Sequence, residues 1–310
     1  MTDLRYSLFA READGWSATY AALSRTVAAD HELLALIDTL PERSRQPNLL
    51  FGAVRLLGGP VSPWPAFREF VTARWDAVAH EMRTRITQTN EIGRCALLLP
   101  LLASLPQPLA LLEVGASAGL GLYPDRYAYA YSGRTVGSGV PLLDCEFAGS
   151  GSFLPDRVPE VVWRAGLDLN PLDVRSASDL DWLEALIWPE QTHRRARLRE
   201  AAALAAADPP LLVRGDLVAD LPALAASAPP DATLVVFHTS VLYLVPPEPR
   251  QAFVELVRSL PGHWISVEAP GVLPFPGLPA PPDDEPWNVV ALDGTPMAWG
   301  RGHGQAMTLI

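Results

Sequence analysis

Leu109-Ala110-Leu111-Leu112-Glu113-Val114-Gly115-Ala116-Ser117-Ala118-Gly119-Leu120 is the stretch that decides the fold. Its first six residues are apolar except for Glu113, and they follow Pro106-Gln107-Pro108. A short, continuous apolar run reads as a strand buried on both faces, the pattern of a parallel sheet. The small residues after it read as a tight turn from strand to helix. There the backbone can approach a ligand, and the first helical N–H groups carry partial positive charge.

Downstream, Val161–Asp168, Leu211–Arg214, Thr233–Phe237 and Trp264–Glu268 repeat the apolar run. Helical stretches separate them at Ala177–Ile187, Pro189–Ala207, Leu217–Ser227 and Pro247–Leu260. Alternating strands and helices predict an open α/β sheet. Trp287–Leu292, Asp293-Gly294 and Met297–Trp299 predict a closing hairpin. Residues 121–160 read as an insertion, in which Tyr127, Tyr129 and Tyr131 alternate with Ala as in an exposed strand.

Upstream, the spacing is helical. Asp30 can cap a helix over Glu32–Asp38, and Gly58-Gly59-Pro60 ends one begun at Pro47. Pro63 opens a long helix with Phe67, Phe70, Val71, Trp75, Val78 and Met82 on one face. Pro100 should kink or split the apolar helix Glu91–Leu105. The expected organisation is a helical cap over 1–107 and a sheet domain over 108–310.

Composition excludes several chemistries. The 310 residues are 49% apolar, enough for a large core. There is no Lys, so Schiff-base and Walker A chemistry are absent. The net charge is −11, and because residues 1–107 hold 11 acids and 11 Arg it falls wholly on 108–310. An acidic chain without a basic run is a poor binder of nucleic acid. Cys95 and Cys145 form no disulfide framework, and no cluster has metal-ligand spacing, so no metal is expected. With no signal peptide or membrane span, we expect a cytoplasmic protein whose partner is a small molecule; oligomeric state is not legible.

The loop admits competing readings. As a dinucleotide fingerprint it lacks the second and third Gly. Gly115-Ala116-Ser117-Ala118-Gly119 also matches the G-x-S-x-G elbow of serine hydrolases, with Ser117 as nucleophile and Asp283 or Asp293 and His303 following in order. That fold places strands before its elbow, and here everything before Leu109 is helical. Glu113, Gly115 and Gly119 also resemble the E-x-G-x-G-x-G loop of class I S-adenosylmethionine-dependent methyltransferases, with Ser117 in place of the middle Gly.

The resemblance to that family extends over 108–310 through the order of elements. It implies a Rossmann-like, mostly parallel sheet of seven strands ending in an antiparallel hairpin. It further implies S-adenosylmethionine as cofactor, with Glu113, Gly115, Ser117 and Gly119 at the methionine part, Asp168 on the ribose and Asp216 on the adenine side. His238, at the end of the fourth such strand, is the base candidate, with Ser240 and Tyr243 to orient substrate. Glu268 and His303 could face the same edge, and Asn90, Glu91 and Arg94 could close over the cofactor. A second resemblance covers nearly the whole chain. Gln46–Phe51, Gln88–Arg94, Glu113–Leu120, Asp125–Tyr127, Asp168–Pro171, Trp188–Glu190 and Gly215–Leu217 are similar to a bacterial family of unknown function. It implies no reaction. A non-catalytic ligand-binding or regulatory protein on the same fold is the alternative from a different class. The stripe His193, Arg194, Arg195, Arg197 and Arg199 reads as a solvated helix face.

Overall fold

The computed structural model describes residues 1–88 and 90–310, so Thr89, which with Asn90 is one of two candidates to cap the helix expected from Glu91, lies outside the described residues. The chain divides into two compact units, Met1–Thr89 with Arg175–Ala196, and Asn90–Val174 with Arg197–Ile310. These limits differ from a single boundary at 107.

The first unit is helical: α1 (Thr2–Glu12), α2 (Ala18–Ala29), α3 (His31–Ile37), α4 (Pro47–Leu56), α5 (Trp64–Ala73) and α6 (Trp75–Thr84). Asp30 caps α3 through the Leu33 amide, as its position before the apolar run predicts. The single helix expected after Pro63 is instead two, broken at Arg74. The core of the unit is aromatic. The Phe51 ring lies 4.7 Å from Tyr20 and about 6 Å from Tyr6, Phe9 and Phe67, mostly edge-on.

The second unit opens with α7 (Cys95–Ser104), which runs unbroken through Pro100. Then come β1 (Leu109–Val114), β2 (Ala128–Tyr131), β3 (Arg134–Val136), β4 (Leu142–Ala148) and β5 (Val161–Asp168). The chain continues through α8 (Ala177–Leu186, in the first unit), α9 (Thr192–Ala207), β6 (Leu211–Arg214), α10 (Leu221–Ala225) and β7 (Thr233–Thr239). It ends with α11 (Pro247–Ser259), β8 (His263–Glu268), β9 (Trp287–Leu292), β10 (Thr295–Arg301) and β11 (Ala306–Leu309).

These strands form one mixed, mostly parallel sheet of eleven, ordered β3-β2-β4-β11-β10-β9-β8-β7-β1-β5-β6, rather than the seven expected. The surplus comes from two places. Residues Ala306–Leu309 make a strand of their own beside β10, and residues 306–308 pair parallel with Glu146–Ala148 of β4. The 121–160 segment thereby extends the same sheet instead of standing outside it. Tyr127, Tyr129 and Tyr131 are buried, not exposed, and their hydroxyls donate to Leu120 O, Pro124 O and Ala96 O. Backbone carbonyls thus satisfy all three buried hydroxyls.

No α-helix follows the glycine loop. Only a three-residue 3-10 turn, Leu120–Leu122, stands there, so no helix dipole aims at the loop. Among the described residues, no helix is long and apolar enough to cross a membrane.

Candidate functional site

Along the chain, β1 is followed on one side by β5 and β6 and on the other by β7 and β8, all parallel. The winding direction reverses at β1. In open α/β sheets that switch point, at the carboxyl ends of the strands, is where ligands bind. Glu113, the glycine loop and Asp168 all lie there.

The loop backbone is held by the protein itself. Gly115 and Ala116 donate to Leu167 O, Gly119 donates to Ala116 O at 2.6 Å, and Ser117 N donates to Asp168 Oδ2 at 2.7 Å. Asn90 Nδ2 donates to Ala116 O at 3.0 Å. These amides are therefore not presented to a ligand, contrary to what the small residues suggest. Gly115, Ser117 and Gly119 have φ of 73°, 50° and 71°. Ser117 thus takes the left-handed backbone that favours Gly, at modest cost for a small side chain.

Gly115 is obligatory in a second way. A methyl group on it would stand 2.5 Å from Val241 Cγ2, in the segment that follows β7. Gly115→Ala is expected to destabilise the protein by about 1–3 kcal/mol through overpacking and the positive φ, read by thermal or chemical unfolding.

Glu113 is buried, and its Oε2 accepts no hydrogen bond. Burial, and then the Asp168 carboxylate, push its carboxyl well above the usual range, against the pull of Arg94. Gly121 lies against this group, since a Cβ there would be 2.6 Å from Glu113 Oε1. Asp168 is the clamp of the loop: Oδ2 takes the Ser117 amide and Oδ1 the Asn170 amide, each at 2.7 Å. Asp216, expected on the adenine side, is exposed, and its Oδ1 accepts from Val218 N and Ala219 N.

His238 does not face a substrate. It is fully buried at the end of β7, and both ring nitrogens are engaged. Trp264 Nε1–H donates to Nε2 at 3.1 Å, and an indole can only donate. The proton therefore sits on Nδ1 and is donated to Glu268 Oε1 at 2.8 Å. The same oxygen accepts Val241 N and Leu242 N. These donors hold Glu268 below the usual carboxylate range although burial opposes them. Glu268 thus faces inward as an anchor for the loop after β7, and His238 orients it.

A further polar cluster joins the segment before α7 to the turn after β10. Arg94 donates to Thr239 O at 2.9 Å and to Gly302 O at 2.8 Å. Buried Glu91 accepts Gly93 N at 3.0 Å, pairs with Arg197 at 3.3 Å and lies 3.3 Å from His303 Nδ1. Arg197 therefore leaves the solvated stripe expected of it. Its partner stands 106 residues away in sequence, so no local signal marks it.

The hydrolase geometry is not assembled. Ser117 Oγ is buried without a hydrogen-bond partner. Asp293 is bonded to His263 and the Trp264 amide, and Asp283 to Trp287 and Arg301, so neither orients His303. Among the described residues, no group of three or more His, Cys, Asp or Glu could hold a metal ion.

The family model described as "uncharacterized protein conserved in bacteria (DUF2332)" matches residues 4–307. The chain belongs to DUF2332. Comparison with curated proteins finds no match, and comparison with solved structures finds none.

Several of the segments that carry the family resemblance serve structure in this DUF2332 chain. Trp188 Nε1 donates to Asn48 Oδ1 at 3.2 Å, and Glu190 accepts the Ser17 hydroxyl at 2.6 Å and the Thr19 amide at 2.9 Å. Asp125 pairs with Arg164 at 2.7 Å, both nearly buried. Of the residues expected to orient substrate, Ser240 has φ 55° and Tyr243 is 57% exposed. Trp264 and Val241 are the residues that sequence reasoning missed. Both read as ordinary apolar positions; Trp264 acts through its bond to His238 on the paired strand, and Val241 through its packing against Gly115 and its amide bond to Glu268.

Proposed function

We propose that this DUF2332 protein binds S-adenosylmethionine at the switch point and is a methyltransferase for a small molecule. The observation that carries the reading is the strand order. Counting β1, β5, β6, β7 and β8 as first to fifth, their order is 3-2-1-4-5, the Rossmann order, with antiparallel β9 beyond.

The residues present are compatible with the cofactor. Glu113 offers an unpartnered buried carboxylate oxygen to a positive group. Asp168 accepts one amide on each oxygen, which leaves lone pairs for ribose hydroxyls. When bound, the cofactor supplies a methyl group already activated by the sulfonium. The chain's part is to hold and orient it. His238 takes no part in proton transfer in this reading.

Calorimetric titration with S-adenosylmethionine and S-adenosylhomocysteine tests it. Binding of both is expected, and no heat at millimolar ligand sinks the reading. Binding without methyl transfer to any acceptor favours a non-catalytic ligand-binding protein. The burial of His238 and the engagement of Asp168 are the observations on that side.

A further inference from the structure

Glu113 poses a problem that the binding reading alone does not solve. Oε2 is buried and accepts nothing, and Gly121 packs against the carboxylate, where a Cβ would stand 2.6 Å from Oε1 and 3.0 Å from Oε2. An ionised carboxylate in such a place lacks the donors that normally stabilise it. The charged and titratable groups around it do not supply enough. Asp168 at the end of β5 repels it and Arg94, just before α7, attracts it. Cys95 at the start of α7 and Tyr127 just before β2 are both pushed up by burial and stay neutral. The 120–122 turn contributes no charge.

We propose that Glu113 is a proton-exchanging ammonium site: its carboxyl holds a proton when no ligand is bound and releases it to solvent when a ligand's ammonium group docks on Oε2. The exchange keeps the buried charge balanced in both states. A neutral acid stands alone, and a carboxylate stands only with a cation hydrogen-bonded to it. The ligand class is thus an amine-bearing cation, selected against neutral or carboxylate analogues of the same shape. The inference rests on the reading of the switch point as a cofactor site, and it adds the regulation of that site by pH. The sign follows from linkage. Binding that releases a proton strengthens as pH rises, by about tenfold per pH unit while Glu113 is protonated free and ionised bound.

Two measurements test it. The first is calorimetry with S-adenosylmethionine near neutral pH in buffers of different ionisation heat. Close to one proton released per ligand is expected for the wild type and none for Glu113→Gln, which also binds about tenfold more weakly. Binding with no proton released overturns the inference and leaves the cofactor reading standing. The second is carbon-13 NMR of the glutamate carboxyls in the ligand-free protein, with Glu113→Gln to assign the signal. Titration of Glu113 above the ordinary carboxylate range supports the inference even if S-adenosylmethionine does not bind. Titration inside that range overturns it whatever the cofactor does.

Discussion

Glu268→Ala is expected to lower the stability of the protein by about 3–5 kcal/mol, because each buried donor left without its acceptor costs about 1–3 kcal/mol. Its carboxylate and the His238 ring are both essentially inaccessible to solvent. Removing the carboxylate strands three donors at once: His238 Nδ1–H, Val241 N–H and Leu242 N–H. The melting temperature should fall by about 10 °C, given ~2–4 °C per kcal/mol for domains of 150–250 residues. Glu268→Gln keeps an acceptor for the two amides and should cost less, about 1–2 kcal/mol.

The same residue sets an acid limit. Its folded-state carboxyl lies below the ordinary value, so its contribution is present at neutral pH. That contribution is lost as pH falls below the unfolded value of 4.5 toward the folded one. Thermal melts at descending pH should therefore bring wild type and Glu268→Ala together. If the two curves stay parallel into acid, the ionised anchor is wrong.

Asp168→Ala is expected to loosen the glycine loop and weaken S-adenosylmethionine binding by about 100-fold. Each of its two bonds to backbone amides is charge-assisted, a class contributing about 1.5–3 kcal/mol, and one of them is the bond to Ser117 N. Loss of that bond lets the Ser117 amide exchange with solvent about 10–100-fold faster, readable by hydrogen exchange in the ligand-free protein. Asp168→Asn retains one acceptor oxygen and should fall between wild type and Ala in both assays. Unchanged exchange at Ser117 would show that the clamp is not what holds the loop. Faster exchange with unchanged affinity would confine Asp168 to structure.

Much of the sheet was readable from residues alone. The apolar runs ending at Val114, Asp168, Arg214 and Glu268 are all strands; β1 and β8 carry the signature of burial on both faces, whereas β5 is buried only in its second half and the edge strand β6 is partly exposed. Asp293-Gly294 turns the β9–β10 hairpin, since both positions need positive φ. Helices before Leu109 followed from apolar spacing and from Asp30 as a cap. The candidate site was legible as a neighbourhood. Glu113 and Asp168 do stand at the carboxyl-terminal ends of adjacent strands, one residue before the end of β1 and at the end of β5, and Asp168 does meet the loop, although through the backbone of Ser117.

What failed, failed where partners are distant in sequence. The tyrosines of β2 alternate with Ala and so resemble a one-sided strand. Their burial depends on surroundings that include Ala96, which accepts the Tyr131 hydroxyl. His238 ends a strand at the expected edge, but whether it faces substrate or core depends on Trp264 and Glu268 of the neighbouring strand.

By itself, then, the sequence determined the strands of the parallel sheet, the turn chemistry and the helical start, all properties of periodicity and backbone preference within a few residues. Only the tertiary structure decided that eleven strands share one sheet, that His238 and Glu268 anchor a loop, and that Glu113 is left with an unpartnered oxygen. Those outcomes depend on which residues meet across tens to hundreds of positions, and burial of charge is fixed by that meeting rather than by any local pattern.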